Sequence, residues 1–355
     1  MYFDLDGLLR NNIKTLAPYS SARDEFSGEA KIFLDANENS LGSPTRKWYN
    51  RYPDPHQTKL KEKLSTIKNV PAKNILLGNG SDECIDIIYR VFCNPGRDNV
   101  VICPPTYGMY EVSAHINDVE VRKVPLLENF QLDLENMEEQ VDDYTKIIWL
   151  CSPNNPTGNS LVRRDIETIL VNFSGIVVID EAYINFSRYR SFVQELEEYP
   201  NLVVLQTLSK AWGLAGLRLG MAFASEEIIN IFNKIKPPYN IGQATQDLVI
   251  QGLDRLADVN DMIRLLVQER DKLQQQLSTV PLVEKVYPSD ANFLLVKVRD
   301  AATLYKTLIE KGIVVRDRSN VQLCENCLRI TVGTPQENEA LLNNLHSLSS
   351  IGINH

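Results

Sequence analysis

Short, continuously apolar stretches alternate with helix-patterned stretches along the first two thirds of this chain of 355 residues. Between the apolar stretches, apolar residues recur at helical spacing, as at Ile85, Ile88, Tyr89 and Phe92. A strand that is apolar throughout must be covered on both faces, and strands connected through helices run parallel. The alternation therefore predicts an α/β fold in which a largely parallel sheet lies between two layers of helices. The predicted strands are 75–77, 100–103, 147–151, 176–179, 202–205 and 221–224.

The pattern changes after about residue 245, where a long charged helix is followed by shorter elements. The order of these elements is typical of a smaller α+β unit. The strands predicted there are Asn292–Val298, Ile313–Val315 and Leu328–Val332, and the helices are 301–311 and 336–348. We therefore expect an N-terminal segment at 1–50 that packs with the small domain, a large domain at 51–245 and a small C-terminal domain at 246–355.

Charge and composition argue against several classes of function. A net charge of −9 argues against a nucleic-acid-binding surface, because such surfaces carry clusters of lysine and arginine. The N-terminus has early aspartates instead of a signal peptide, and no apolar run is long enough to span a membrane, so we expect a cytoplasmic protein. A single CxxC, Cys324 to Cys327, and histidines without ligand spacing predict no metal site.

Polar residues follow five of the predicted strands at the point where each strand ends. In an open α/β sheet, ligands bind beyond the carboxyl ends of the strands, so we expect these residues to share one site. Ser81 and Asp82 also begin a helix whose first N–H groups would bind an anion, unless one of the two merely caps the helix. The residues are Ser81 and Asp82, Tyr107, Asn155, Asp180 and Tyr183, and finally Thr207, Ser209, Lys210 and Arg218.

The loop after the fifth of these strands, Thr207 to Gly220, holds a lysine in apolar surroundings. Burial disfavours the charged amine, so the pKa of Lys210 should fall and its neutral form could condense with an aldehyde. Arg218 and the neighbouring hydroxyls suit a phosphate. Pyridoxal phosphate carries both an aldehyde and a phosphate, which makes it the expected cofactor. The alternative is an ordinary loop whose lysine reaches solvent.

The other strand-end residues complete such a cofactor site. Asp180 can pair with a protonated pyridine nitrogen and keep the ring able to accept electrons. Asn155 and Tyr183 can form hydrogen bonds with the phenolic oxygen of the ring. Tyr107, held by a Pro-Pro turn, can stack on the ring, or it can simply pack in the core. Residues expected to hold the phosphate are Ser81, Asp82, Ser209 and Arg218.

The chain resembles the fold type I pyridoxal-phosphate aminotransferases, class II branch, over nearly its whole length. One departure is visible in the early loop, where Ser40 replaces the usual proline and no catalytic group is lost. The motifs that carry the resemblance are 103–110 (CPPTYGMY), 151–158 (CSPNNPTG), 180–183 (DEAY), 207–210 (TLSK) with 216–218 (GLR), and 328–334 (LRITVGT).

The resemblance implies a role for each matched residue. Lys210 forms the Schiff base with the cofactor and then acts as general base, and Asp180 pairs with the pyridinium. Arg329 binds the anionic end of the substrate, and Tyr19 and Arg316 match further substrate-side positions. Tyr52 reaches the cofactor phosphate of a neighbouring subunit, so the resemblance implies a homodimer with shared active sites.

The implied reaction moves an amino group between L-histidinol phosphate and 2-oxoglutarate, as part of histidine biosynthesis. Two enzymes of similar fold remain alternatives: L-threonine-O-3-phosphate decarboxylase, a lyase, and an aromatic amino-acid aminotransferase. A third alternative from another class is a catalytically idle pyridoxal-phosphate-binding regulatory protein. The intact lysine, aspartate and arginines argue against this last reading.

Overall fold

The computed structural model describes residues 3–21, 25, 31–45 and 47–351, and its larger part is built on one sheet. In this part of the chain the sheet has seven strands in the order β1-β7-β6-β5-β4-β2-β3. Strands β2 to β6 run parallel, whereas β7 is antiparallel to both neighbours. The predicted α/β fold with a mostly parallel sheet is confirmed. The strands are β1 Ile75–Asn79, β2 Asn99–Ile102, β3 Glu120–Lys123, β4 Thr145–Cys151, β5 Ile176–Asp180, β6 Leu202–Thr207 and β7 Leu219–Phe223.

The reversal at β7 follows from the length of the loop before it. Only residues 208–218 separate β6 from β7, and their regular structure is a single 3₁₀ turn at Ala215–Leu217. Such a connection is too short to carry the chain across the sheet to a parallel position. The chain therefore turns back beside β6, and the loop with Lys210 stays at the carboxyl end of the sheet.

Helices cover both faces of this sheet, and the C-terminal helices pack against one face of a second sheet. Alternate residues of β4 point to opposite sides, with Ile148 and Leu150 in one apolar cluster and Trp149 and Cys151 in the other. In the described part of the chain no helix is long and apolar enough to cross a bilayer. The helices are α1 Leu5–Leu8, α2 Asn11–Lys14, α3 Thr58–Lys68, α4 Gly80–Phe92, α5 Met109–Ile116, α6 Leu134–Gln140, α7 Arg163–Asn172, α8 Glu226–Ile235, α9 Gln243–Leu253, α10 Leu256–Leu277, α11 Ala301–Glu310 and α12 Pro335–Ile351.

A second, antiparallel sheet follows α10 and has the order β10-β11-β9-β8. The prediction of a strand at Ile313–Val315 is wrong, because strand pairing begins only at Arg316. There Arg316 lies directly opposite Arg329, so the pairing brings two arginines side by side. The strands are β8 Val283–Val286, β9 Phe293–Val298, β10 Arg316–Asp317 and β11 Cys327–Thr331.

The beginning of the chain packs differently from the expectation for the segment 1–50. Leu9 is buried in the apolar cluster that contains Phe92 of α4. The backbone N–H of Arg10 donates to the carbonyl of Val91 at 3.1 Å, and its Nη1 donates to the carbonyl of Arg90 at 3.0 Å. Leu9 and Arg10 therefore lie against α4, and the Leu9 side chain joins the apolar core on that face of the large sheet. The expected domain limits stay a prediction.

Candidate active site

A cavity of about 640 Å³ opens beyond the carboxyl ends of the parallel strands. The sequence predicted a shared site there, and the structure brings twelve of the predicted residues to this one cavity. Tyr52 and Tyr19 are not among the residues that line it. The twelve are Ser81, Asp82, Tyr107, Asn155, Asp180, Tyr183, Thr207, Ser209, Lys210, Arg218, Arg316 and Arg329.

The start of α4 forms one wall of the cavity. The helix begins at Gly80, and the side chain of the preceding residue, Asn79, forms no cap with the described residues. Ser81 and Asp82 therefore lie inside the first turn, and the alternative that one of them caps the helix is wrong. The first N–H groups of a helix have no partner within it and attract anions. This wall suits a phosphate.

Arg218 faces the same wall and is held by the backbone. It has a left-handed conformation with φ of 53°, which is uncommon for a residue with a side chain. Its carbonyl accepts a hydrogen bond of 2.8 Å from the Gly80 N–H. Its guanidinium donates to Ser209 Oγ at 3.4 Å and to Asp82 Oδ2 at 3.3 Å. The result is a cradle of N–H groups, a hydroxyl and a guanidinium.

Two glycines make this cradle possible. A Cβ on Gly80 would lie 2.5 Å from Arg218 Nη2, and a Cβ on Gly220 would lie 2.2 Å from the backbone N of Ser81. Both distances are too short for real atoms, so a side chain at either position would displace the cradle. Thr207 supports it from below, since its Oγ1 accepts from the Ser209 N–H at 3.1 Å. The space and the donors together fit a phosphate group.

Lys210 projects into the cavity from the loop between β6 and β7. Its Nζ lies 5.8 Å from the centroid of the Tyr183 ring. Partial burial in this recess lowers the pKa of the Lys210 amine, and the nearby positive charges of Arg329 and Arg218 lower it further. The lowered pKa favours the neutral amine that attack on an aldehyde requires.

Asp180 ends β5 and is the buried acid of the site, with 3% of its surface exposed. Burial raises the pKa of its carboxyl, and hydrogen bonds from Tyr110 and Ala182 oppose that rise. Tyr110 was not expected to take part in the site. The sequence places it three residues after Tyr107 but gives no sign that its hydroxyl reaches Asp180.

The remaining large-sheet residues are anchored by polar contacts. Tyr107 Oη donates to Asp82 Oδ1 at 3.0 Å. The Oδ1 atom of Asn155 accepts a hydrogen bond from Arg329 Nη1 at 2.5 Å, so the amide nitrogen of Asn155 remains to donate elsewhere. Tyr183 is buried, with 7% of its surface exposed, and its ring packs edge-on against Phe293.

Three arginines of the small domain face the cavity: Arg316, Arg329 and the unexpected Arg318. No carboxylate among the described residues forms an ion pair with any of them. The buried Nε of Arg318 also has no hydrogen-bond partner in this part of the structure. Burial, with Arg329 and Arg316 nearby, lowers the pKa of Arg318. A group of unpaired guanidinium ions indicates an anionic ligand.

A signal for Arg318 exists in the sequence. It lies two residues after Arg316, and residues two apart project to the same side of an extended chain. Once Arg316 is assigned to the site, this period places Arg318 beside it. The CxxC nearby offers no comparable chemistry, because burial raises the pKa of Cys324 to about 12 and that of Cys327 to about 11.

Tyr52 and Tyr19 lie in other grooves of the surface. Tyr52 is 51% exposed and stacks on Tyr239 with 4.5 Å between the ring centroids. Tyr19 is 75% exposed and lines a shallow groove with Pro55 and Lys236. Within one chain, neither tyrosine lines the cavity that holds Lys210.

Comparisons with known proteins identify the family and the fold of this chain. Residues 35–345 match the family model of aminotransferase class I and II. The histidinol-phosphate aminotransferase of Parabacteroides distasonis is 58% identical over 97% of this chain and 99% of that protein. The enzyme of the same name from Cytophaga hutchinsonii is 54% identical over 96% of this chain and 98% of that protein. The solved histidinol-phosphate aminotransferase of Clostridium acetobutylicum has the same fold, with a TM-score of 0.79, 24% identity and coverage of 86% and 92%.

Proposed function

The chain belongs to the aminotransferase class I and II family, and on this basis we propose that it catalyses the histidinol-phosphate aminotransferase reaction. It transfers the amino group between L-histidinol phosphate and 2-oxoglutarate, which gives imidazole acetol phosphate and L-glutamate in histidine biosynthesis. The observation that carries the proposal is one cavity that holds a lysine of lowered pKa, a buried carboxylate, a phosphate cradle and three arginines that form no ion pair with any described residue.

The cofactor is pyridoxal 5'-phosphate, and the residues of the cavity fit it. When bound, it supplies the aldehyde that takes up the amino group and a ring that accepts electrons released at the substrate Cα. The first turn of α4, at Ser81 and Asp82, would hold the phosphate together with Ser209 and Arg218. Thr207 would orient this loop through its hydrogen bond to Ser209.

Lys210 is assigned the chemical role. Its amine would be the group that bonds to the aldehyde of the bound cofactor. Once the substrate amine has replaced it there, the freed amine would remove the proton at the substrate Cα and return it. Partial burial keeps the pKa of Lys210 below the usual value for lysine, which favours the neutral amine that can act as a base. Arg329 and Arg218 reinforce this effect by their charge.

The residues around the ring are assigned binding roles. Asp180 would hold a proton on the pyridine nitrogen, and Tyr107 would stack on one face of the ring. Asn155, through its free amide nitrogen, and Tyr183 would donate to the phenolic oxygen. Asn155 would therefore contact the ring while its Oδ1 accepts from Arg329 on the substrate side of the cavity.

The arginines explain why a single cavity can accept two different substrates. Guanidinium groups bind phosphate and carboxylate alike, with two parallel hydrogen bonds to either. Arg329 would hold the phosphate of histidinol phosphate in one half-reaction and the α-carboxylate of glutamate in the other. Arg316 and Arg318 would add charge for the doubly negative phosphate. Because both substrates use one site in turn, the kinetics should be ping-pong.

A homodimer with shared sites is part of the proposal. Tyr52 does not line the cavity of its own chain, is half exposed, and matches the family position that reaches a neighbour's cofactor. Tyr19, which is also exposed, is assigned to the substrate side of the site. A cytoplasmic location, expected from the sequence, stays a prediction.

A substrate panel tests the proposal directly. The purified protein with its cofactor is given histidinol phosphate, phenylalanine, tyrosine or threonine phosphate, each with 2-oxoglutarate. Glutamate and carbon dioxide are both measured. The proposal predicts the highest kcat/KM for histidinol phosphate, with glutamate formed and no carbon dioxide. Release of carbon dioxide from threonine phosphate would identify a decarboxylase. A preference for phenylalanine would identify an aromatic aminotransferase, and the absence of any product would identify a catalytically idle protein.

A further inference from the structure

Tyr110 of α5 lies behind Asp180 and outside the lining of the cavity. Its Oη donates a hydrogen bond of 2.7 Å to Asp180 Oδ2, while Asp180 Oδ1 accepts one of 3.0 Å from the Ala182 N–H. A carboxylate oxygen can accept two hydrogen bonds, so each oxygen keeps one free position. The two donors therefore fix the plane of the carboxylate and leave it able to accept an N–H from the cavity.

An aromatic stack holds the Tyr110 hydroxyl in place. The Tyr110 ring is fully buried and lies nearly parallel to Trp149, with 4.9 Å between centroids and 14° between planes. Trp149 in turn stacks on Tyr89 at 5.2 Å, and Tyr89 Oη donates to the Tyr110 carbonyl at 2.8 Å. The ring of Tyr107, which lines the cavity, packs edge-on against the Tyr110 ring, with 5.6 Å between the centroids. The hydroxyl is thus fixed between the ring-stacking tyrosine and the buried acid.

The hydrogen bond joins two buried ionisable groups, the phenol of Tyr110 and the carboxyl of Asp180. Burial raises the pKa of Asp180, and among the contacts that oppose this rise the Tyr110 hydrogen bond comes first. Burial and the nearby carboxylate raise the pKa of Tyr110 well above its usual value of 10. A phenol of raised pKa keeps its proton, so Tyr110 acts as the donor in its hydrogen bond to Asp180.

We propose that Tyr110 is a positioning residue of the reaction, whose hydroxyl keeps Asp180 ionised and turned towards the cavity. Only an ionised carboxylate can hold a proton on the pyridine nitrogen of the cofactor, since a neutral acid has no charge to pair with a cationic ring. The inference rests on the proposed role of Asp180 as the partner of that nitrogen. Without the hydroxyl, the buried acid loses its closest side-chain donor and takes up a proton at higher pH.

The Tyr110→Phe variant tests this inference, because it keeps the aromatic stack and removes only the donor. The rate at which bound cofactor leaves the holoenzyme is measured between pH 6 and 8.5 by trapping the released cofactor. We expect release from the variant to be about tenfold faster at pH 6, the scale of one hydrogen bond to a charged group. The difference should shrink as the pH rises, because a higher pH favours the ionised form of Asp180 in the variant as well. The absorbance of the bound cofactor should change over the same range.

Tyr89→Phe is the matched control. It removes a buried hydroxyl from the same stack, but that hydroxyl donates to a backbone carbonyl and not to Asp180. A loss of packing or of a buried hydrogen bond should therefore affect both variants alike and without dependence on pH. If the two variants release cofactor at the same rate at every pH, the positioning role of Tyr110 is refuted.

The Asp180→Asn variant distinguishes a failure of this inference from a failure of the proposed role of Asp180. In the Asp180→Asn background, adding Tyr110→Phe should not accelerate release further, because no charge remains to be positioned. If Asp180→Asn itself retains cofactor as the parent does, the assigned role of Asp180 is wrong, and the inference falls with it. If Asp180→Asn releases cofactor faster while Tyr110→Phe behaves as the parent, only the inference about Tyr110 fails.

Discussion

Arg329 Nη1 donates a hydrogen bond of 2.5 Å to Asn155 Oδ1 and thereby joins the small sheet to the loop that follows β4. The two residues are 174 positions apart in the chain. This contact places the substrate-side guanidinium next to the amide assigned to the cofactor ring. A displacement of one of these groups should therefore displace the other, and a change at the arginine should lower activity with either substrate.

Arg329→Lys should weaken both half-reactions. The variant keeps the positive charge but loses the planar fork that binds phosphate and carboxylate through two hydrogen bonds. We expect each half-reaction to lose roughly 1–3 kcal/mol of transition-state stabilisation. Single-turnover measurements with histidinol phosphate and with glutamate test the two separately. If only one suffers, a shared anchor is wrong and Arg316 becomes the better candidate for the other anion.

Arg318→Gln should reduce the preference for a phosphorylated donor. The guanidinium faces the cavity without a partner for its Nε in the described structure, so the substrate phosphate is its expected ligand. The ratio of kcat/KM for histidinol phosphate over histidinol should fall about tenfold, as one charged hydrogen bond is lost. Arg299→Gln, which changes an exposed arginine away from the cavity, is the control. An unchanged ratio in Arg318→Gln would remove this residue from the phosphate site.

The buried amine of Lys61 should make the free energy of unfolding depend on pH. Burial lowers the pKa of its amine to about 8, below the 10.5 of an exposed lysine. Between these values the unfolded chain binds more protons than the folded one, so stability rises with pH. Relative to Lys61→Met, the parent should gain about 2–3 kcal/mol in free energy of unfolding between pH 7 and 10.

Urea unfolding of holoenzyme at a fixed protein concentration measures this difference. Lys59→Met is the control, because Lys59 lies on the same helix but is exposed. It should show the pH dependence of the parent, and both variants should keep parental activity. A difference between parent and Lys61→Met that stays constant from pH 7 to 10 would mean that the buried amine does not titrate in this range.

Mixed dimers should recover activity from two inactive chains. If Tyr52 acts in the partner's site, Tyr52→Ala and Lys210→Ala each disable a different contribution to that site. A dimer of one chain of each kind contains one site with an intact lysine and an intact tyrosine. Activity should therefore appear after the two proteins exchange subunits. Verified exchange with no recovered activity would count against shared sites.

The sequence predicted the parts of the fold that short-range patterns encode. Strands such as Ile176–Asp180 are apolar on both faces, and polar residues at their ends mark the cavity. The strand Glu120–Lys123 was missed because its alternating residues are largely exposed and form no apolar run. The strand at Arg316–Asp317 was misplaced because its two residues have no pattern of their own and are set by pairing with β11.

Contacts between distant residues account for what the sequence did not predict in the site. Tyr110 reads as a core residue, and only the fold brings its hydroxyl to Asp180, 70 positions further along the chain. The spacing of two places Arg318 beside Arg316, but only the fold brings both arginines to the cavity. In both cases tertiary geometry decides whether the side chain reaches the site, and local sequence patterns do not encode that geometry.

The identity of the lysine that bonds to the cofactor tests the central claim most directly. Borohydride reduction of the holoenzyme fixes that bond, and peptide mapping then locates the labelled residue. We predict label on Lys210 alone, and we expect Lys210→Ala to lose both the label and turnover while keeping its fold. Lys61→Met, which removes a buried lysine that also has a lowered pKa, should keep both. Label on any other lysine, or turnover by Lys210→Ala near the parental rate, would contradict the account.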